Sequence, residues 1–155
     1  MKKAFVIILI AIVAATSAFA FKFKSIGIDT WNGFYVSANM EAIDNLDVYG
    51  RVGYIGMFSF SLGANYNVAE LKINSTKLDV KPGGQFNFGF ADNYFLFSVL
   101  GNCEFAFHTD HFEAFLRPGF GLGVYTTSYR SGDSRVSNTN TGFAWQIETG
   151  VRYLF

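Results

Sequence analysis

From Phe143 to Phe155 the chain alternates without a break. Phe143, Trp145, Ile147, Thr149, Val151, Tyr153 and Phe155 stand on one phase, and Ala144, Gln146, Glu148, Gly150, Arg152 and Leu154 on the other. Successive side chains of a strand point to opposite faces, so this stretch is a strand with one apolar and one polar side. At roughly 3.3 Å per residue it is long enough to cross a bilayer core of about 30 Å at a tilt.

The pattern recurs along the chain. Phe34, Val36, Ala38 and Met40 oppose Tyr35, Ser37, Asn39 and Glu41, and Val48 and Val52 oppose Asp47, Tyr49 and Arg51. Phe58, Phe60 and Leu62 oppose Ser59, Ser61 and Gly63, while Phe86, Phe88 and Phe90 oppose Gln85, Asn87 and Gly89. Phe95, Phe97, Val99, Cys103, Phe105 and Phe107 face away from Ser98, Asn102 and Glu104, and Phe120, Leu122 and Val124 interleave with glycines and Tyr125.

Four-residue links, Ala91–Tyr94 and His108–His111, carry turn chemistry and account for the changes of phase between strands. Thr126–Thr141 is rich in Ser, Thr, Asn and Gly and lacks an apolar pattern, so a long exposed loop is expected there. Seven strands are plain, but a closed single-chain barrel of this type has an even number. Lys22–Thr30 and Val68–Thr76 are the candidates for the eighth. The second alternates better and is the expected one. Pro118 fits poorly inside a strand and is expected to mark a strand entry or a bulge.

One phase is built of Phe, Val, Leu and Ile, and the other of Gly, Ser, Asn, Gln and a few charges. In a soluble sandwich or lipocalin-like barrel the large rings would face inward. The interior of an eight-stranded barrel is only wide enough for side chains to fill it, which suits small and polar residues and not many of the 19 Phe. The expected fold is therefore all-β: an antiparallel up-and-down transmembrane barrel, residues 21–155, with its rings turned to lipid.

The beginning of the chain agrees. Met1-Lys2-Lys3 is a positive start, Ala4–Ala15 an uncharged apolar run, and Ala18-Phe19-Ala20 a small-x-small cleavage site. A signal peptide over 1–20 is expected, the apolar run being too short for a comfortable membrane anchor. Losing Lys2 and Lys3 leaves 10 basic against 12 acidic residues, a formal charge of about −2. Such a chain has no basic field for nucleic acid. One cysteine, Cys103, excludes an internal disulfide.

The terminal Val151-x-Tyr153-x-Phe155 resembles the C-terminal signature of bacterial outer-membrane proteins. Leu116-Arg-Pro-Gly-Phe-Gly-Leu-Gly-Val-Tyr125 is similar to the Gly-alternating strand of small eight-stranded barrels of the OmpA/OmpX-like superfamily. The resemblance implies location in the bacterial outer membrane, contact with its lipid and lipopolysaccharide, and recognition of Val151, Tyr153 and Phe155 by the barrel-assembly machinery. It places Phe155 in the periplasm, the 126–141 segment outside the cell as a possible contact for an extracellular ligand, and the 108–111 turn on the periplasmic side. No peptidoglycan-binding domain is expected beyond the barrel, so a wall-tethering role is not expected.

Glu41, Asp47, Glu104, Glu113 and Glu148 share the inward phase with Arg51, Arg117 and Arg152. Unpaired charges in a narrow lumen would be costly, so an ion-pair network is expected, either as a plug thickened by Tyr35, Tyr49 and Tyr125 or as the gate of a small conductance. His108 and His111 flank a polar turn at the end away from outer-leaflet chemistry, and Cys103 lies in the apolar phase. No catalytic grouping, metal site or cofactor is expected. The expected function is a non-enzymatic barrel serving envelope integrity or surface interaction, ahead of a narrow channel and of a lipid-modifying enzyme.

Overall fold

The computed structural model describes residues 22–155 apart from 32, 55, 74, 75, 132 and 133, so the expected signal peptide lies outside the described residues. Nine strands run in chain order: β1 (Lys22–Thr30), β2 (Phe34–Ile43), β3 (Leu46–Tyr54), β4 (Phe58–Tyr66), β5 (Ala69–Ile73), β6 (Thr76–Ala91), β7 (Tyr94–His108), β8 (Phe112–Ser131) and β9 (Ser134–Leu154). All pairings are antiparallel. β4 bonds to β6 and β1 to β9, so the sheet closes on itself as an eight-stranded up-and-down barrel and leaves no open edge around its wall.

The closing strand is β1, which corrects the expectation that Val68–Thr76 supplies the eighth. Ser25 to Thr30 bonds β9, and the same segment bonds β2. Among the described residues, 69–73 pair only with β6 and do not fold back onto β4. They continue β4 along the same neighbour, β6, with Ala69 opposite Val80, after the β4 ladder has ended at Asn65 opposite Gly83. A one-residue slip between the two stretches marks a bulge.

Lys22 and Phe155 lie at the same end, which we call the terminal end; the Phe155 N–H donates to the Lys24 carbonyl at 3.1 Å. The β2–β3 turn there uses Asn45 at φ 67°, a left-handed position that Asn tolerates. At the opposite end β8 and β9 run on past the wall. The 126–141 segment is a paired hairpin extension rather than a loop, in register from Thr126 opposite Thr139 to Ser131 opposite Ser134. Hydroxyl pairs hold it across the strands, Thr126 to Thr139 at 3.0 Å and Ser128 to Ser137 at 2.9 Å. Beyond the mouth there is no interior, so neither face requires apolar residues.

Pro118 sits in the middle of β8, opposite Ile147 of β9, at neither an entry nor a bulge. Its missing N–H is accommodated because the β7–β8 ladder passes from Asn102–Gly119 to Phe105–Leu116 without a bridge between them.

Candidate functional site

The barrel is inside out. Its buried residues are overwhelmingly polar: Ser25, Ser37, Ser61, Asn65 and Gln85 line the lumen together with the charged groups. Phe34, Leu122, Phe120 and Phe143 are 76, 65, 67 and 72% exposed on the outer wall. Stacked and tilted Phe rings cross that wall from strand to strand, Phe60 on Phe88 at 4.6 Å and Phe88 on Phe97 at 5.1 Å. Inside, two inward glycines make room for larger neighbours. A Cβ on Gly53 would strike the Tyr35 ring, and one on Gly63 would strike that of Tyr49.

The buried charges other than Asp29 and Asp79 form one chain of alternating sign. It begins with Arg51, whose Nη2 lies 2.5 Å from Glu148 Oε1. Glu148 Oε2 accepts from Arg117 Nη1 at 2.7 Å, and Arg117 Nε donates to Glu104 at 2.9 Å. Glu104 also accepts from Arg152 Nη2 at 2.8 Å, and Arg152 Nη1 donates to Glu113 at 2.6 Å. Lys81 Nζ then joins Glu113 at 3.4 Å to Asp47 at 3.2 Å, and Lys24 donates to Asp47 at 2.8 Å. The guanidinium planes rest on rings, Arg117 3.8 Å from the Tyr49 centroid and Arg152 3.7 Å from that of Phe115.

Seven of the eight charged residues expected in the lumen, all but Glu41, are thus brought together. Glu41 is half-buried near the end of β2 and takes part in no ion pair among the described residues. Tyr35 and Tyr49 fill the interior, whereas Tyr125 is 41% exposed at the mouth. Val151, Tyr153 and Phe155 are exposed on the outer wall, where Phe155 meets Phe23 at 5.2 Å and Tyr153 at 5.3 Å. Cys103 is half-buried in the outward phase, between Pro82 of β6 and the bridge gap at Pro118.

Lys81, Asp79, Asp29, Lys24 and His108 are the lumen members that sequence reasoning missed. Leu78 and Val80 outward against Asp79 and Lys81 inward carry the β6 alternation back past Phe86. Pro82-Gly83-Gly84 interrupts it and hides the continuation. Instead of belonging to a turn, His108 ends β7 with its ring inside, Nε2 2.8 Å from Asp79 and Nδ1 3.2 Å from Glu113. His111 stays exposed, its ring 6.2 Å from that of Tyr153.

Two recesses flank the network and share no lining residue. One, of about 270 Å³, opens at the hairpin end above Arg51, Asn87 and Gln146. The other, of about 380 Å³, opens at the terminal end between Lys24, Asp79, Lys77 and His108. The arrangement can hold charge firmly and separate two mouths. The site and fold define a small closed antiparallel barrel with a polar, ion-paired lumen. Comparison with protein-family models, curated proteins and solved structures finds no match to this chain.

Proposed function

We propose that this chain is a small integral protein of the bacterial outer membrane whose ion-paired lumen is a plug, and that it serves envelope integrity or surface interaction without catalysing a reaction. The observation that carries this reading is the inverted partition: charged and amide side chains buried, rings and branched aliphatics outside. In water that outer wall would cost about 25 cal/mol per Å² of apolar surface, and in hydrocarbon that cost disappears. Apolar patches of more than a few hundred Å² mark a membrane or partner surface. Closure supports the same reading, because a wall without open edges satisfies its own backbone.

Aromatic residues gather at both ends of the wall. Trp31 and Trp145 meet at 5.3 Å towards the hairpin end, and Phe112, Tyr153 and Phe155 cluster at the terminal end, as interfacial girdles do. The likeness to OmpA/OmpX-like barrels rests on these features with the Phe-terminated strand and the Gly-alternating segment. In this reading the terminal end is periplasmic, the assembly machinery reads Val151, Tyr153 and Phe155, and the β8–β9 hairpin stands outside among lipopolysaccharide, available to an extracellular ligand.

Planar-bilayer recording of the refolded protein tests the plug. The expected result is no steady conductance. A stable pore would replace the plug with the narrow-channel reading, in which the two recesses are vestibules joined by rearrangement of the charges. Free solubility of the mature protein without detergent would sink the membrane reading itself. A lipid A deacylation or acyl-transfer assay is expected to be blank.

A further inference from the structure

The two recesses differ in what lines them. At the terminal end Lys24, Glu70, Lys77, Asp79 and Asp110 surround the space together with His108. At the hairpin end the one charged side chain is Arg51, which is 3% exposed and held by Ser61, Glu148 and the Tyr35 ring. The amides beside it are turned to their neighbours: Asn87 donates to Ser98 at 3.0 Å and to Gln146 at 3.3 Å, and Gln146 donates to Glu148 at 2.6 Å. A polar solute entering there would give up hydration for few hydrogen bonds.

Much of the remaining lining is apolar and open. Leu96 stands in the inward phase between Gly89 and Tyr125, and Met57 reaches in from the β3–β4 connection to cover Gly89. Leu96, Met57 and Ala144 are half-buried and Tyr125 is 41% exposed, so they present apolar surface to the recess. Facing water, that surface costs about 25 cal/mol per Å², a cost that an apolar occupant removes. Gly123 and Gly142, opposite each other in register, supply the room, which gives the Gly-alternating segment a use. The rim beside them is uneven, because β1 bonds β9 only as far as Thr149 whereas β8 bonds it to Ser134. On that low side Trp31 and Trp145 border the recess, the latter 59% exposed, so its entrance adjoins the apolar outer wall.

We infer that the hairpin-end recess is a binding site for a small uncharged aromatic molecule, one ring with a short substituent. Size sets the bounds. An apolar cavity of about 150 Å³ takes benzene, and sites for drug-sized ligands begin at roughly 300 Å³. The recess, at about 270 Å³, lies between them. Its neighbours favour a ring over an alkyl chain. Trp31, Tyr35 and Tyr125 offer ring faces and edges, and the Met57 thioether is polarisable, adaptable and attractive to aromatic groups. A charged substituent would find no accessible counter-charge, since Arg51 is already paired with Glu148. The ion-paired network lies beneath the recess, so an occupant leaves it in place. The inference concerns the cavity and does not depend on the membrane or plug reading.

Fluorine NMR separates binding from partition into micelles. The mature protein is refolded in an alkyl detergent and titrated with fluorobenzene, with protein-free micelles as the reference. A saturable change above the linear partition of the reference is expected. 4-Fluorobenzoate and 3-deoxy-3-fluoro-D-glucose, run alongside, should bind at least roughly ten-fold more weakly. Gly142→Leu fills the recess at a position where an added Cβ meets nothing within 4 Å. It should weaken fluorobenzene binding about ten-fold while keeping the heat-modifiable migration of a folded barrel. Lys77→Ala, in the other recess, should leave binding unchanged. Partition no different from that of protein-free micelles would overturn the assignment. So would equal or tighter binding of the benzoate or the sugar, undiminished binding by folded Gly142→Leu, or loss of binding in Lys77→Ala.

Discussion

Arg117 is fully buried, and the charges it answers, Glu104 and Glu148, are as deep as it is. Pairing such groups compensates their desolvation without leaving much surplus, but removing one member strands the others. Arg117→Met should therefore lower stability by about 3–5 kcal/mol, read as a shift of the urea midpoint of the refolded protein in micelles. Lys77 and Glu70 also form an ion pair, at 3.1 Å, but both are about half exposed. Lys77→Ala should move the same midpoint by about 1 kcal/mol or less. Equal effects from the two substitutions would mean that water reaches Arg117 and that the lumen is not closed. Burial, not the presence of an ion pair, makes the difference between these two lysine and arginine sites.

The β8–β9 hairpin extension contributes nothing to the lumen. Its backbone touches the rest of the barrel where the Ser128 N–H donates to the Asn93 carbonyl at 2.8 Å. Replacing residues 128–137 by Asn-Gly leaves Thr127 opposite Asn138, as a two-residue hairpin requires. The shortened protein should keep its heat-modifiable migration and change its unfolding free energy by less than about 1 kcal/mol. Loss of the folded band would show that the extension helps to close the barrel. β5 and β1 illustrate the same point about elements. Both segments read as strands, yet what each does depends on which neighbour has a free edge. β9 and β2 had edges for β1, while β5 could only follow β4.

For the whole molecule, the terminal strand has to serve both as wall and, in the proposed reading, as an address. Phe155 touches Phe23 and Tyr153 on the outer wall and reaches no lumen group. Phe155→Ala should cost the refolded barrel only about 0.5–1.5 kcal/mol of ring contact. In cells it should lower the amount of assembled, heat-modifiable barrel several-fold, measured in envelope fractions. If assembly falls no more than stability does, Phe155 is ordinary wall and the address reading fails.

The sequence by itself determined seven of the strands, their two phases, the all-β barrel class and the inward set of Asp47, Arg51, Glu104, Glu113, Arg117, Glu148 and Arg152. Those properties are local, since side chains alternate at every residue of a strand, and a narrow lumen and a Phe-rich wall demand opposite chemistries. Glu41 shows the limit of phase alone, because it shares the inward pattern and lies opposite Asp47 yet takes part in no ion pair among the described residues. The tertiary structure decided that β1 closes the barrel, that residues 126–141 pair beyond its mouth, and that Lys81 and His108 belong inside. It also decided which carboxylate answers which cation, and that a recess lies at each end of the ion-paired network. These follow from register and closure, which bring together residues such as Arg51 and Glu148 from strands far apart in the chain, and no local period encodes that meeting.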